Sequence, residues 1–212
     1  MKTLRILIAD DHEMVRQGLQ RVIAEQPGWT VCGEAATGRE AVSRSKALQP
    51  DIVVMDFAMP ELNGMEATRQ IRAALPGTEV LILSMHESEE LVREILAAGA
   101  RGYVLKSDAG RSLVDALKAL AAHQPYFTSR ISSLVLAGYL NPQTREPARL
   151  TPREREIVQL VAEGRSTKEI ADVLGISIKT AETHRTNILR KLDLRSASEL
   201  VRYAIRNKIV EA

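Results

Sequence analysis

Short apolar runs alternate with amphipathic stretches over the first 122 residues of the chain. The apolar runs are rich in Val, Ile and Leu, which is typical of buried β-strands. We predict these strands at Leu4–Ala9, Thr30–Glu34, Ile52–Met55, Val80–Ser84 and Gly102–Leu105. The stretches between and after them predict helices near residues 13–25, 39–48, 64–74, 88–98 and 111–121. Strands that alternate with helices in this way predict a parallel sheet with helices on both faces.

Charged residues stand at the ends of three predicted strands. Asp10 and Asp11 follow the first strand, Asp56 follows the third, and Lys106 follows the fifth. An α/β, doubly wound, five-stranded sheet of flavodoxin-like order 2-1-3-4-5 places strands 1 and 3 side by side, with the ligand site at their carboxyl ends. Clustered carboxylates repel one another, so we expect a hard, oxygen-binding cation such as Mg²⁺ among them.

Asp56 is the predicted nucleophile of this site, because its carboxylate could attack a phosphoryl group in line. Lys106 and the hydroxyl of Ser84 would then contact phosphoryl oxygens. The expected cation ligands are Asp10 (through a water), Asp11, Asp56 and the backbone carbonyl of Ala58. Each residue alone also has a structural explanation, as a helix cap, a turn residue or a solvated lysine. Their joint position at the ends of the correct strands favours phosphoryl chemistry.

The character of the chain changes after residue 122. Residues 123–147 read as a polar linker that contains Pro142 and Pro147, with a helix over Ser129–Leu140 attached to either neighbour. Residues 148–212 predict a small all-α domain of four helices. Three capping boxes mark helix starts in it, at Thr151–Glu154, Ser166–Glu169 and Ser196–Glu199.

The segment from Gly175 to His184 closes one helix and opens the next across a tight turn, which is the pattern of a helix-turn-helix. A helical wheel places Ala181, Ile188 and Leu192 inward. The opposite face carries Lys179, Glu182, Thr183, Thr186 and Arg190, which suit contacts with base edges. Phosphate contacts are expected from Thr167, Lys168, Arg185, Arg190 and Lys191. A polar helix face is also common where nothing binds, so this prediction depends on its context.

The charge distribution supports the same division of the chain. Residues 1–125 carry 14 Lys and Arg against 17 Asp and Glu, a net charge of −3, whereas residues 126–212 carry 15 against 10, a net charge of +5. A polyanion would therefore bind the C-terminal part. The single Cys32 permits no internal disulfide, and the first apolar run is too short for a secretory or membrane segment, so we expect a cytoplasmic protein without a membrane partner. The four histidines form no ligand motif.

The front part resembles the receiver domain of two-component response regulators over residues 1–122. The matching positions are Asp10-Asp11, Asp56-x-x-Met59-Pro60-x-x-x-Gly64, Ser84 and Lys106. The resemblance implies that a histidine kinase phosphorylates Asp56, that Mg²⁺ is required, and that Ser84 and Tyr103 act as switch residues. From sequence alone, Tyr103 reads as a half-buried strand residue. Lys106 is followed by Ser107, where many receivers have proline, so no cis-proline bond can follow the lysine.

Residues 148–212 resemble the LuxR-type helix-turn-helix of the NarL/FixJ family. The matching segments are Leu150–Glu156, Thr167–Ala171 and Ser177–His184. The resemblance implies that residues Lys179 to Thr186, Thr180 included, form the DNA-recognition face. It also implies a homodimer on DNA through the last helix, with RNA polymerase as a further partner. Candidate dimer contacts are Leu200, Val201, Ala204 and Ile205; the alternative is that they close the core of this small domain, as some of them must.

Together these features predict a DNA-binding response regulator rather than an enzyme. Phosphorylation of Asp56 would favour dimerisation and sequence-specific binding to promoter DNA. An aspartyl-phosphate hydrolase is the first alternative, but it would need a general acid two residues after the nucleophile, where this chain has Ala58. A DNA-binding protein whose front domain senses a small molecule or works without phosphorylation is the second alternative, and the intact acidic set argues against it.

Overall fold

The computed structural model describes residues 3–140 and 150–210, which form parts of two compact units, Met1–Gln143 and Thr144–Ala212. A parallel sheet forms the centre of the first unit. Its strands are β1 (Leu4–Ala9), β2 (Trp29–Ala35), β3 (Ile52–Asp56), β4 (Glu79–Ser84), β5 (Gly102–Leu105) and β6 (Tyr126–Phe127). They lie in the order β2-β1-β3-β4-β5-β6, and every neighbouring pair is parallel. The predicted order of the first five strands is confirmed.

Helices cover both faces of this sheet. They are α1 (Glu13–Ala24), α2 (Gly38–Leu48), α3 (Gly64–Ala74), α4 (Glu89–Ala97), α5 (Ala109–Ala121) and α6 (Ser129–Leu140), with a 3₁₀ turn at Lys106–Asp108. Successive side chains of β1 enter different cores, because strand residues alternate between faces. Leu7 packs in one core with Met55 and Tyr103, and Ile8 packs in the other with Val54. Every residue of β3 and β4 is buried, as expected of central strands in a doubly wound sheet.

The predicted linker contains two elements: the helix over Ser129–Leu140, which was predicted and is confirmed, and a sixth strand, β6, which was not predicted. Strand β6 extends the sheet because the Tyr126 N–H donates to the Arg101 carbonyl oxygen at 2.9 Å. Helix α6 then returns to the first unit, where Ile131 is fully buried in the core. A strand of two residues is too short to give a periodic pattern. Residues 141–147 of the predicted linker, including Pro142 and Pro147, lie outside the described residues.

Four helices form the second unit, namely α7 (Pro152–Ala162), α8 (Thr167–Leu174), α9 (Ile178–Lys191) and α10 (Ala197–Arg206). Thr151 and Ser166 each form a complete capping box with the glutamate three residues later. The third predicted box is only half present. Ser196 accepts from the Glu199 N–H, but the Glu199 carboxylate accepts from the Arg195 N–H instead of that of Ser196. Over residues 3–140 and 150–210, no helix is both long and apolar enough to span a bilayer.

Candidate functional site

The carboxyl ends of β1, β3 and β5 meet at one edge of the sheet, and they bring three predicted residues into contact. The Lys106 Nζ lies 2.9 Å from Asp10 Oδ2 and 2.9 Å from Asp56 Oδ2. Asp10 and Asp56 are only 1% and 3% exposed, so the two carboxylates share one largely dehydrated amine. Ala9 of β1 is directly opposite Met55 of β3, and this register sets the two aspartates side by side.

Gly64 allows the loop after Asp56 to fold back tightly against it. The Gly64 N–H donates to the Phe57 carbonyl oxygen at 2.8 Å, and a Cβ atom at Gly64 would stand 2.2 Å from the Asp56 carbonyl oxygen. No side chain fits at that distance. The glycine eight residues after Asp56 is therefore a steric requirement of this loop.

The site carries more negative than positive charge. Burial and then the neighbouring Asp10 charge raise the pKa of Asp56 to about 6, although Lys106 and the Ala58 N–H work against the shift. Burial alone would lower the pKa of Lys106, but Asp56 and Asp10 outweigh it and the pKa is raised. Lys106 therefore stays protonated, and one amine faces two buried carboxylates. Such a surplus of negative charge attracts a cation.

Residues that could hold a cation cluster where the sequence predicts them, with one additional residue. Asp10, Asp11, His12 and Asp56 each offer an atom within 4.8 Å of the others. The clustered carboxylate oxygens of buried Asp10 and Asp56 and of exposed Asp11 fit Mg²⁺, which prefers oxygen ligands and retains several waters. Bound there, Mg²⁺ would neutralise charge on phosphoryl oxygens. The Ala58 N–H donates to the Asp56 carboxylate, and the Ala58 carbonyl as a ligand stays a prediction.

Sequence reasoning missed His12, since it treated the four histidines as scattered. The His12 Nδ1 lies 2.7 Å from Asp11 Oδ1 and 3.3 Å from Asp10 Oδ1, and the His12 N–H donates to Asp10 Oδ1 at 2.8 Å. The available signal was its position directly after the acidic pair. It was overlooked because no second histidine accompanies it in a ligand spacing.

The backbone of His86 links the two predicted switch residues, Ser84 and Tyr103, by hydrogen bonds. The Tyr103 hydroxyl donates to the His86 carbonyl oxygen at 2.5 Å, and the His86 N–H donates to Ser84 Oγ at 3.0 Å. Tyr103 is fully buried, so its description as a half-buried strand residue was wrong: β6 and α6 cover the region around it. Burial raises the pKa of Tyr103 to about 12, so its hydroxyl stays a donor at neutral pH. This role of His86 was not predicted, because both hydrogen bonds use its backbone atoms.

In the second unit, the wheel prediction for α9 is confirmed. Ala181 and Ile188 are fully buried, and Leu192 packs against the same core. The Arg185 Nη1 donates to Thr167 Oγ1 and so joins α9 to α8. Arg185 and Thr167 are half-buried. The other predicted DNA contacts are exposed: Lys168, Lys179, Thr180, Glu182, Thr183, Thr186, Arg190 and Lys191.

Helix α10 divides the four predicted dimer contacts into two pairs. Leu200 is 1% exposed and Ala204 is fully buried, and both belong to the core of the second unit. Their assignment as dimer contacts was wrong, because side chains inside one chain's core cannot touch a second chain. Val201 is half-buried and Ile205 is 39% exposed, so these two stay candidates for the interface.

Comparison with known proteins extends these observations. The family model for the response regulator receiver domain matches residues 6–118, and that for bacterial regulatory proteins of the luxR family matches residues 148–204. The transcriptional regulatory protein LiaR of Bacillus subtilis (strain 168) is 38% identical over 209 residues, which cover 98% of this chain and 99% of LiaR. The oxygen regulatory protein NreC of Staphylococcus carnosus (strain TM300) is 37% identical over 216 residues, which cover 98% of this chain and 100% of NreC.

A solved structure also matches nearly the whole chain. RcsB from Salmonella enterica serovar Typhimurium, bound to promoter rprA in the presence of phosphomimetic BeF3⁻, superposes with a TM-score of 0.62 at 26% identity, over 95% of this chain and 98% of that one. An acidic sheet edge followed by a helix-turn-helix defines a transcriptional response regulator of a two-component system. This chain belongs to the NarL/LuxR family of these regulators, with a receiver domain and a LuxR-type DNA-binding domain.

Proposed function

We propose that phosphorylation of Asp56 by a histidine kinase controls the binding of this chain to promoter DNA. The observation that carries the proposal is the contact of Lys106 with both buried aspartates at 2.9 Å. A carboxylate that faces a fixed amine and a cation site is a nucleophile whose attack on phosphorus is electrostatically supported. Domain boundaries near residues 122 and 148 are part of the same proposal.

The chemistry is a phosphoryl transfer in which an Asp56 carboxylate oxygen attacks phosphorus in line. The phosphorus–nitrogen bond of the kinase phosphohistidine breaks, and its electron pair returns to the imidazole. Lys106 contacts one phosphoryl oxygen, and Asp10, Asp11 and Asp56 would hold Mg²⁺, which would supply further charge neutralisation. Ala58 offers no carboxyl group to act as a general acid, so we propose control of transcription rather than turnover of an external substrate.

The response to phosphorylation begins at Ser84. Its Oγ accepts the His86 N–H, and the His86 carbonyl accepts the Tyr103 hydroxyl. A new phosphoryl group would accept from the Ser84 O–H, and movement of this side chain toward it would change the hydrogen bonds of the loop after β4. This would shift an equilibrium between states that differ in DNA affinity.

On promoter DNA, α9 enters the major groove and two copies of the chain pair through α10. The exposed Lys179 and Arg190 stand on one face of α9, and Val201 and Ile205 are the α10 side chains that remain available. RNA polymerase is the proposed downstream partner. RcsB, which has been solved on a promoter with a phosphomimetic, supports this arrangement by its similarity.

Labelling of the purified chain tests the acceptor assignment. With acetyl phosphate and Mg²⁺, intact mass should increase by one phosphoryl group in the wild type and not in Asp56→Asn. Asp115→Asn is the matched control, since Asp115 is exposed on α5 and undergoes the same chemical change. Labelling that survives in Asp56→Asn would reject Asp56 as the acceptor.

A further inference from the structure

The hydroxyl groups of two threonines on α9 are already occupied by their own helix. Thr183 Oγ1 donates to the Lys179 carbonyl oxygen at 2.8 Å, and Thr186 Oγ1 donates to the Glu182 carbonyl oxygen at 3.0 Å. Both threonines are exposed. Because each hydroxyl proton is donated to the preceding turn, the side chain can offer a ligand only an acceptor oxygen and the γ-methyl group.

The two methyl groups have a spacing that suits neighbouring base pairs. Thr183 and Thr186 are three residues apart, so they share one face and differ by about 4.5 Å along the helix axis. Bases along one DNA strand are separated by about 3.4 Å. Lys179 and Arg190 extend the same face on either side, and both are exposed. The pair therefore forms a small apolar patch within a polar, basic helix face.

Only one base presents a methyl group in the major groove, namely thymine at C5. We infer that Thr183 and Thr186 recognise two neighbouring thymines in each half-site through methyl–methyl contact rather than through hydrogen bonds. The inference rests on the proposed DNA binding and specifies what this face of α9 reads. The alternative for an exposed threonine is a hydrogen bond from a base amino group to its hydroxyl oxygen, which can still accept while its proton is donated to the helix carbonyl.

Uracil substitution in the DNA tests this inference at the level of single atoms. A duplex is selected from a random pool, and each thymine is then replaced singly by deoxyuridine, which keeps the hydrogen-bonding edge and lacks the methyl group. Removing one buried methyl group should weaken binding about fourfold. We expect this loss at two neighbouring positions of each half-site.

Paired protein variants assign the contact to each threonine. Thr183→Ser keeps the hydroxyl and loses the methyl, whereas Thr183→Val keeps a methyl and loses the hydroxyl; the same pair is made at Thr186. The serine variants should bind thymine and uracil duplexes equally at their position, and the valine variants should keep the fourfold preference. Thr151→Ser is the matched control, because Thr151 caps α7 and serine caps equally well.

The possible outcomes distinguish failure of this inference from failure of the proposed DNA binding. Sequence-specific binding that no uracil substitution weakens would overturn methyl recognition and leave DNA binding intact. Loss of the preference in the valine variants with its retention in the serine variants would overturn it in favour of the hydroxyl. Failure to select any DNA would overturn both the inference and the proposed function. The slope of affinity against salt should stay unchanged in all variants, because phosphate contacts are not altered.

Discussion

Replacing Asp56 by asparagine should stabilise the first unit near neutral pH, although it removes the group on which the proposed function depends. The Asp56 pKa is about 6 in the folded chain and 3.8 in its ordinary state. Burial and the Asp10 charge therefore oppose ionisation of this carboxyl more strongly than Lys106 supports it. Asparagine has nearly the same shape and no charge, so it removes the penalty.

The sign and the size of the expected difference in unfolding free energy follow from proton binding by Asp56. As pH rises, the unfolded chain loses the Asp56 proton near pH 3.8, whereas the folded chain keeps it until about pH 6. Between these values only the unfolded state gains the charge, so the free energy of unfolding of the wild type falls through this window. A difference of about two pH units corresponds to about 3 kcal/mol. The variant should match the wild type at pH 4 and exceed it by about 3 kcal/mol at pH 7.5.

Urea unfolding in EDTA measures this difference. Trp29, the only tryptophan of the chain, lies on β2, so its fluorescence reports on the first unit. Added Mg²⁺ should stabilise the wild type more than the variant and narrow the gap, because binding to the folded state adds to stability. Asp115→Asn should follow the wild type. A variant that is less stable than the wild type at pH 7.5, or a difference that does not change with pH, would refute the reasoning.

Three further substitutions probe other parts of the molecule. Tyr103→Phe removes the hydrogen bond to the His86 carbonyl and should lower the free energy of unfolding in urea, detected by Trp29 fluorescence, by about 1 kcal/mol. An unchanged free energy of unfolding would show that this hydrogen bond does not stabilise the fold. Leu200→Ala empties part of the second core and should cost about 2–5 kcal/mol by calorimetry, whereas an interface role predicts no loss in the monomer. Arg130→Glu converts the ion pair between Arg130 and Glu87 into a repulsive pair of carboxylates. Amide hydrogen exchange should then become faster in α6 but not in α1.

Local patterns predicted the sheet because its signals are strong and repeat. The runs at Ile52–Met55 and Val80–Leu83 are apolar throughout, and each is followed by a turn and a helical pattern. A central strand that is buried on both faces needs apolar residues at nearly every position, so its sequence identifies it clearly. Strand β6 gave no comparable signal. It consists of two residues that pair with β5 and contact α6, and two residues are too few to show a periodic pattern.

The acidic site was predictable because parallel strands bring their carboxyl ends together. Asp10, Asp56 and Lys106 needed only the strand order to be placed in contact. His12 and the His86 carbonyl were not predictable in the same way, because their roles depend on side-chain direction and on backbone geometry after a strand. The division of α10 into buried Leu200 and exposed Ile205 likewise required the packing of α10 on the other helices.

The central claim is that the state of Asp56 sets the affinity of this chain for promoter DNA. Equilibrium binding to one selected duplex, with and without beryllofluoride and Mg²⁺, tests it most directly in the wild type and in Asp56→Asn. We predict tighter binding by the wild type when beryllofluoride is present, and no response in the variant. Equal affinities in the wild type with and without beryllofluoride, or an equal gain in both proteins, would contradict the claim.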